Sequence, residues 1–250
     1  VLPIYTRLSD AESRPFPHND TAALETILRS CRDKYAKVLI VAEGVYSMDG
    51  DIAPVPELVR IKKEYGCFLM IDEAHSACVL GRTGGGVDEY FGLAGDDIDI
   101  KMGTLSKGLG TCGGYLAGSR ALIEYLRYNL PGFVFSVGIS PPLAAATLEA
   151  IRLLQEEPSI MENLHRNIRC FREEAKKRHF NTCLAGETAI LPILVGRDED
   201  AFALSMALLE HGVFAPSAVY PAVPRGKARL RFCVRALLMT NRFCRPMGAT

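Results

Sequence analysis

The sequence has no excess of either charge, no long apolar run and no cysteines at CxxC spacing. It contains 29 Lys and Arg and 29 Asp and Glu, so its formal net charge is zero. A nucleic-acid surface needs a basic excess, so this balance argues against a nucleic-acid partner. No apolar stretch reaches the length of a membrane span, and no CxxC pair or zinc-finger histidine spacing indicates a metal site. We therefore expect a cytoplasmic protein without a membrane span.

What the sequence does contain is a series of short apolar runs that alternate with helical patterns. The runs that predict strands cover residues 38–42, 67–71, about 97–103 and 113–117. Pro54 and Pro56 predict the start of a helix between the first two runs, and Gly66 predicts its end. Strands that alternate with helices predict βαβ units, and hence an α/β fold with a mainly parallel sheet and helices on both faces.

The second half of the chain has a different pattern. Residues 142–178 are predicted to be helical throughout and to connect away from the sheet. Apolar runs at 189–195 and 229–234, with a helical pattern at 199–211, then predict a smaller α+β unit at the end of the chain.

Polar side chains follow three of the predicted strands, at the point where each strand ends. These are Glu43 and Ser47 after the first strand, Asp72 and His75 after the second, and Thr104 and Lys107 after the third. Ligands of open α/β sheets bind at the carboxyl ends of the strands. We therefore expect these three clusters to line one crevice.

The surroundings of Lys107 are unusual for a lysine, which is normally a solvated surface charge. Hydroxyl side chains precede it at Thr104 and Ser106, and glycines follow it at Gly108 and Gly110. Small residues let a ligand approach the backbone closely, and hydroxyls can hold a phosphate. A lysine amine in a desolvated pocket has a lowered pKa and can form an imine.

Asp72 and His75 complete the expected chemistry. A carboxylate at the end of a buried strand is costly unless it has a cationic partner, and a pyridinium nitrogen is such a partner. A pyridine ring whose nitrogen stays protonated withdraws electrons and can stabilise a carbanion. His75 lies where it can donate a hydrogen bond to the ring's phenolate oxygen. Asp72 alone also fits a helix or turn cap, and His75 alone also fits a structural histidine. Together with Lys107, the two residues favour a pyridoxal cofactor.

Four motifs in this order resemble the α-oxoamine synthases, fold-type-I pyridoxal 5'-phosphate (PLP) enzymes of the class II aminotransferase group. The motifs are Glu-Gly-Val-Tyr-Ser-Met-Asp-Gly-Asp at 43–51, Asp-Glu-Ala-His at 72–75, Thr-Leu-Ser-Lys-Gly-Leu-Gly at 104–110, and Pro-Ala-Val-Pro-Arg-Gly at 221–226 with Ala-Arg-Leu-Arg at 228–231. Each motif alone is moderately specific, whereas the ordered set is strongly so. The similarity extends from about Phe16 to Val234.

The resemblance implies roles for the residues that match the cofactor motifs. Lys107 is expected to carry the cofactor as a Schiff base and later to remove the α-proton of the amino acid. Asp72 is expected to pair with the pyridine nitrogen, and His75 to hydrogen-bond the phenolate oxygen. Thr104 is expected to bind the phosphate, and Ser47 to lie near the cofactor ring.

The resemblance also implies substrate and partner contacts. Arg231 is expected to hold the substrate carboxylate through a bidentate contact, with the nearby Arg229 as the competitor for that role. Glu43 is expected to lie near the substrates. Ser136 resembles the family position that reaches the phosphate of the neighbouring subunit, which implies a homodimer with a shared active site.

The implied function is a PLP-dependent acyltransferase. It would condense an amino acid (glycine, serine or alanine) with an acyl thioester, either acyl-CoA or acyl-ACP, and release an aminoketone after decarboxylation. The implied domains are a partial PLP-binding large domain at 1–140, connecting helices at 141–185 and a partial C-terminal small domain at 186–250. The family has a preceding segment that this sequence lacks, and the text after Val234 departs from the family, so we interpret the chain as a fragment.

Three other interpretations differ in what they require. Asp-Glu-Ala-His also occurs in helicases, but these need a GxxxxGK[ST] loop, which the sequence lacks. An aminotransferase would share Lys107 and Asp72 but usually has tyrosine in place of His75. A truncated, non-catalytic subunit of a synthase would keep the sheet and lose turnover.

Overall fold

The structure, a computed structural model, describes residues 10–237. The part of the unusual C-terminal segment beyond Leu237 lies outside the described residues. Tertiary contacts divide the chain into two units. The first unit contains the described residues up to Gly44 together with Ala53–Gly81 and Gly85–Arg152, and the second contains Val45–Ile52, Arg82–Gly84 and the described residues from Leu153 onward.

The first unit consists of a four-stranded sheet and the helices that precede, connect or follow its strands. Its elements are helix α1 (Thr21–Cys31), strand β1 (Leu39–Glu43), helix α2 (Val55–Tyr65), strand β2 (Phe68–Asp72), helix α3 (Val87–Phe91), strand β3 (Ile100–Thr104), strand β4 (Gly114–Gly118), and helices α4 (Arg120–Asn129), α5 (Pro131–Val134) and, except for its last turn, α6 (Pro141–Glu156). A short 3-10 helix at Arg32–Lys34 follows α1.

The strand order in this sheet is β1-β2-β3-β4. β1 pairs with β2 and β2 with β3 in parallel, which confirms the predicted α/β class with a mainly parallel sheet. β4 is antiparallel to β3. The loop between β3 and β4 contains no helix, and a parallel pairing would need a longer crossover connection.

The helix boundaries in this unit follow from local chemistry. The Oδ1 atom of Asp20 accepts a hydrogen bond from the N–H of Ala23 at 2.8 Å, which caps the first turn of α1. α2 ends at Gly66, whose φ of 58° is left-handed and whose N–H donates to the carbonyl oxygen of Lys62. The core of this unit includes the buried residues Leu28, Val55, Leu58, Ile61, Leu69, Ile71, Leu80 and Val87.

The second unit contains an antiparallel three-stranded sheet and two helices. Its elements are α7 (Ser159–Lys177), β5 (Ile190–Gly196), α8 (Asp198–Glu210), β6 (Ser217–Ala218) and β7 (Ala228–Cys233), with the strand order β5-β7-β6. The core of this unit includes the buried residues Met161, Leu164, Ile168, Leu191 and Val234. The prediction of an unbroken helix over 142–178 is wrong, because α6 ends at Glu156 and α7 begins at Ser159. Pro158 lies between them and lacks the N–H that a helix interior needs.

A short segment between β1 and α2, residues 45–52, belongs to the second unit. The carbonyl oxygen of Gly50 accepts hydrogen bonds from the Thr188 hydroxyl at 2.8 Å and from the Gly186 N–H at 3.0 Å. Gly50 has a φ of 71°, and a Cβ atom there would lie 2.1 Å from the carbonyl oxygen of Ile190. Only glycine fits this close approach of two backbones.

None of the helices within residues 10–237 is both long and apolar enough to cross a membrane.

Candidate active site

Three neighbouring strands of the first unit end at residues with chemically useful side chains. β1 ends at Glu43, β2 at Asp72 and β3 at Thr104. Glu43 lies opposite Asp72 in the parallel register, and Asp72 lies opposite Met102. The carboxyl ends of parallel strands lie at the same edge of a sheet, so the three strand ends form one polar edge, as the sequence predicted.

One contact at this edge joins two residues that the sequence analysis assigned to the cofactor. The Nζ atom of Lys107 lies 2.8 Å from the Nε2 atom of His75. His75 is half-buried, and Lys107 is exposed. Two residues 32 positions apart in the chain thus share a hydrogen bond, because each lies in the turn that follows one of two paired strands.

The turn after β2 fixes the position of His75. The Oδ1 atom of Asp72 accepts a hydrogen bond from the N–H of Ala74 at 2.8 Å. The carbonyl oxygen of Glu73 accepts from the N–H groups of Ser76 at 3.1 Å and Ala77 at 3.0 Å. These hydrogen bonds close one tight turn, which fixes the backbone position of His75.

Glu73 anchors this turn from below, a role that the sequence prediction missed. Its side chain is buried, and its Oε2 atom accepts hydrogen bonds from the Ser76 hydroxyl at 3.2 Å and the Val87 N–H at 3.3 Å. Burial raises the pKa of Glu73 above its usual 4.5. Gly86 has a φ of 80°, and a Cβ atom there would lie 1.9 Å from the Glu73 carboxyl. The run of three glycines at 84–86 was the only available signal in the sequence.

The turn after β3 presents Lys107. The Thr104 hydroxyl lies 2.8 Å from the Ser106 hydroxyl and accepts a hydrogen bond from the Ser106 N–H at 3.3 Å. Leu105 donates its N–H to the carbonyl oxygen of Gly113 at 3.0 Å and accepts at its own carbonyl from the Thr111 N–H at 2.8 Å. The two hydroxyls expected near a phosphate therefore lie side by side at the base of the loop at residues 105–113, called the lysine loop below.

Cys78 packs directly against this loop and was also missed by the sequence prediction. A Cβ atom on Gly108 would lie 2.6 Å from the Cβ atom of Cys78. Cys78 has a φ of 61°, in the left-handed region that favours glycine. Burial raises the pKa of the Cys78 thiol, and the carboxylate of Glu73 raises it further. The absence of a side chain at Gly108 lets the two turns approach each other.

The second unit holds the two arginines that the sequence left in competition. Arg229 is buried, forms an ion pair with Asp49, and donates to the carbonyl oxygen of Met48 at 3.2 Å. Arg231 is half-buried; its Nε atom donates to the carbonyl oxygen of Ser47 at 2.6 Å. The guanidinium of Arg229 is thus engaged by a carboxylate of its own unit, whereas that of Arg231 is held through Nε and through an Nη1 contact to Cys233 Sγ at 3.3 Å.

Ser136 lies in the turn after α5, in an exposed position of the first unit. Its hydroxyl accepts a hydrogen bond from the N–H of Gly138 at 2.9 Å. Within residues 10–237, no group of three or more His, Cys, Asp or Glu side chains is arranged to hold a metal ion.

Comparison with known families places this geometry in context. Residues 3–243 match the family described as aminotransferase class I and II. The chain belongs to the aminotransferase class I and II family. The chain is 45% identical over 230 residues to the curated relative 8-amino-7-oxononanoate synthase 1 of Bacillus velezensis. It is 44% identical over 230 residues to 8-amino-7-oxononanoate synthase of Symbiobacterium thermophilum. Each match covers 92% of this chain and 58% of the relative.

Solved structures show the same fold. The serine palmitoyltransferase of Sphingomonas wittichii matches 97% of this chain and 61% of its own with a TM-score of 0.90 and 32% identity. A structure of SPT with PLP matches 95% of this chain and 60% of its own with a TM-score of 0.89 and 33% identity. The predicted family resemblance and the predicted fold are therefore confirmed. The chain spans about 58% of the length of the curated relatives it matches.

Proposed function

We propose that this protein is a PLP-dependent acyltransferase that condenses an amino acid with an acyl thioester and releases an aminoketone after decarboxylation. The observation that carries the proposal is the contact between Lys107 and His75 at the ends of two parallel strands, beside the carboxylate of Asp72. Relatives named 8-amino-7-oxononanoate synthase and serine palmitoyltransferase support this reaction class. Acyl-CoA and acyl-ACP are the proposed donors.

The residues at the strand ends fit PLP. The cofactor presents an aldehyde, a phosphate and a ring nitrogen, and the first unit offers a primary amine, two adjacent hydroxyls and a carboxylate at one sheet edge. Gly108, Gly110 and Gly113 in the lysine loop lack side chains, and a Cβ atom on Gly110 would meet no atom within 4 Å. The loop therefore leaves its backbone accessible to a phosphate.

When bound, PLP supplies an aldehyde for the lysine and a protonated ring that withdraws electrons from the amino acid's α-carbon. Lys107 would carry the cofactor and, once released, remove the α-proton of the substrate. The carboxylate of Asp72 would keep the ring nitrogen protonated by charge pairing. His75 would donate to the ring's phenolate oxygen, and the hydroxyl of Thr104 to the phosphate.

The family resemblance implies an arginine on β7 as the ligand of the substrate carboxylate. We assign this role to Arg231 rather than Arg229, because the guanidinium of Arg229 is already paired with Asp49 and buried. The Nε atom of Arg231 is fixed by a backbone carbonyl, and such anchoring orients a guanidinium for a bidentate contact. The contacts of Glu43 with substrates and of Ser47 with the cofactor ring remain proposals from the family resemblance.

A homodimer is also proposed. Helices α4–α6 and the turns between them expose large apolar side chains, among them Tyr125, Tyr128, Phe133, Phe135 and Leu148. Exposed apolar surface of this kind is typical of protein interfaces. Ser136 lies within this stretch, where the family resemblance places a contact to the phosphate of the neighbouring subunit. Light scattering at several concentrations tests the dimer, and cell fractionation tests the proposed cytoplasmic location.

Cofactor binding is tested by titrating the purified protein with PLP and recording visible absorbance from an imine. We expect a saturable signal that is lost in Lys107→Ala and kept in the control Lys177→Ala, a lysine on α7 that pairs with Glu174 at the surface. A signal that is equal in the parent and Lys107→Ala would contradict the assignment of Lys107. No saturable signal in the parent would favour a non-catalytic subunit.

The reaction class is tested by product analysis. Glycine, serine and alanine are each incubated with PLP-loaded protein and a series of acyl-CoA or acyl-ACP donors, and the released thiol and the aminoketone are measured. Equal amounts of thiol and aminoketone support the synthase. Keto-acid formation without thiol release would instead identify an aminotransferase.

A further inference from the structure

We infer that His75 has a second role, which precedes catalysis: it accepts the proton that Lys107 must lose before its amine can attack the aldehyde of PLP. This inference rests on the proposed function for its cofactor, but it concerns only residues of this chain. It assigns His75 as the proton acceptor for cofactor loading, in addition to its proposed hydrogen bond to the bound ring.

The geometry supports a proton transfer between the two residues. The Nζ and Nε2 atoms are 2.8 Å apart, which is within the distance at which a proton acceptor acts directly. Both residues lie on short turns held by backbone hydrogen bonds, one from Ala74 to Asp72 and one from Leu105 to Gly113. Because these turns follow paired strands, the donor and the acceptor are held together without any ligand.

The chemistry requires such an acceptor. A lysine with an ordinary pKa of about 10.4 is almost entirely protonated at neutral pH, and an ammonium group has no electron pair with which to attack a carbonyl. Transfer of one proton from Nζ to Nε2 leaves a neutral amine beside an imidazolium. The amine forms a bond to the aldehyde carbon, and the carbonyl oxygen leaves as water with the two remaining amine protons. No oxidant or reductant is consumed.

The transfer also prepares His75 for its later role. In the contact with a lysine ammonium, Nε2 is the acceptor, so the ring carries its proton on Nδ1. After the transfer, Nε2 carries a proton and is a donor. The same atom can then donate to the phenolate oxygen of the ring. One proton thus converts the ligand-free arrangement into the arrangement that the bound cofactor needs.

Other titratable groups lie close to this pair. Asp72 lies on the same turn as His75, and Glu73 is buried beneath it. The thiol of Cys78 packs against Gly108, and the ring of Tyr115 on β4 lies over Gly103. Burial raises the pKa values of Cys78 and Tyr115, which keeps both protonated at neutral pH and therefore unable to accept a proton. The Glu73 carboxyl accepts hydrogen bonds from Ser76 and Val87, whereas His75 is in direct contact with Lys107.

The first test measures the rate of cofactor loading rather than turnover. Ligand-free protein is mixed with PLP, and the growth of the imine absorbance is followed in the parent, His75→Gln and His75→Ala. His211→Ala, at the residue that follows α8, is the control. Glutamine keeps an acceptor oxygen but cannot take up a proton. We expect loading to slow about 100-fold in both His75 variants, the lower end of what a positioned proton acceptor contributes. Free imidazole should restore the rate of His75→Ala but leave that of the parent unchanged.

A loss of rate that imidazole does not restore, or loading at the parent rate in both variants, would overturn the inference. A second test needs no cofactor. Trinitrobenzenesulfonate, which reacts with neutral amines, is applied to each variant, and the modified lysines are mapped by mass spectrometry. We expect Lys107 to react faster than Lys177 in the parent, and His75→Gln to slow only Lys107.

The two tests separate the inference from the proposed function. Normal loading with rates that do not depend on His75 would overturn the inference and keep the function. No imine absorbance in the parent, together with labelling of Lys107 that depends on His75, would overturn the function for this chain and keep the inference.

Discussion

Replacement of Gly86 by alanine tests how tightly the turn around His75 is held. A Cβ atom at this position would lie 1.9 Å from the Oε2 atom of Glu73 and 2.9 Å from its carboxyl carbon. The carboxyl must therefore move, and it can then no longer accept from both the Ser76 hydroxyl and the Val87 N–H. A buried donor left without a partner costs about 1–3 kcal/mol.

The backbone adds a second cost. Gly86 has φ 80° and ψ −152°, a region open essentially to glycine alone. A side chain held there costs about 1–3 kcal/mol. Together, the two effects lower the free energy of unfolding of Gly86→Ala by about 2–6 kcal/mol, a large part of the 5–15 kcal/mol typical of a natural protein.

Gly92 provides a matched control at the other end of the same helix, α3. Its φ is 66°, and a Cβ atom there would meet no atom within 4 Å. Gly92→Ala should therefore cost only the left-handed backbone strain, about 1–2 kcal/mol. Urea unfolding at pH 7, followed by circular dichroism, measures both variants.

Glu73→Ala in the Gly86→Ala background removes the group that the new methyl would strike. The double variant should therefore be more stable than the sum of the two single changes predicts. Equal costs for Gly86→Ala and Gly92→Ala, or strictly additive costs in the double variant, would refute the account of Glu73 as the anchor of this turn.

Three further predictions follow from the same contacts. Burial raises the folded-state pKa of Glu73, so the folded protein binds a proton more tightly than the unfolded chain. The stability of the parent should therefore fall as pH rises from about 4.5 through that raised pKa. The urea midpoints of Glu73→Gln should lack this pH dependence. Gly108→Ala should weaken PLP binding in absorbance titrations, because its methyl group strikes Cys78. Cys78→Gly in the same chain should restore the affinity. If Gly108 instead contacts the cofactor directly, Cys78→Gly will not restore it. Arg229→Ala should lower the free energy of unfolding by about 3 kcal/mol, since it leaves a partly buried carboxylate unpaired, whereas Arg197→Ala, which removes an exposed ion pair, should leave the urea midpoint nearly unchanged.

The strand ends were predictable because their signals are local. A continuous apolar run predicts a buried strand, and the polar residue that follows it marks the strand's end. Asp72 and Thr104 were therefore placed correctly at the ends of β2 and β3. Parallel pairing then predicted that both would reach one edge of the sheet, and the contact between His75 and Lys107 agrees with it.

The supports of the site were not predictable, because they depend on distances between turns that are far apart in the chain. The residues that flank Cys78 in the sequence do not indicate that it packs on Gly108. The burial of Glu73 depends on the position of Gly86 against its carboxyl, which the sequence does not show either. The direction of β4 was likewise open, since an apolar glycine-rich run does not show which neighbour it pairs with. Such packing is set by tertiary structure and leaves little local signal.

The segment at residues 45–52 limits how this protein can be divided for expression. A fragment that begins at Leu153 would contain both strands that flank β7, yet it would lack the Gly50 carbonyl that satisfies Thr188 and the Asp49 carboxylate that pairs with Arg229. A buried arginine without its carboxylate is strongly destabilising. Such a fragment should therefore fold only when a peptide that covers residues 45–52 is added. The second unit is thus completed by a segment that is synthesised more than a hundred residues before this fragment.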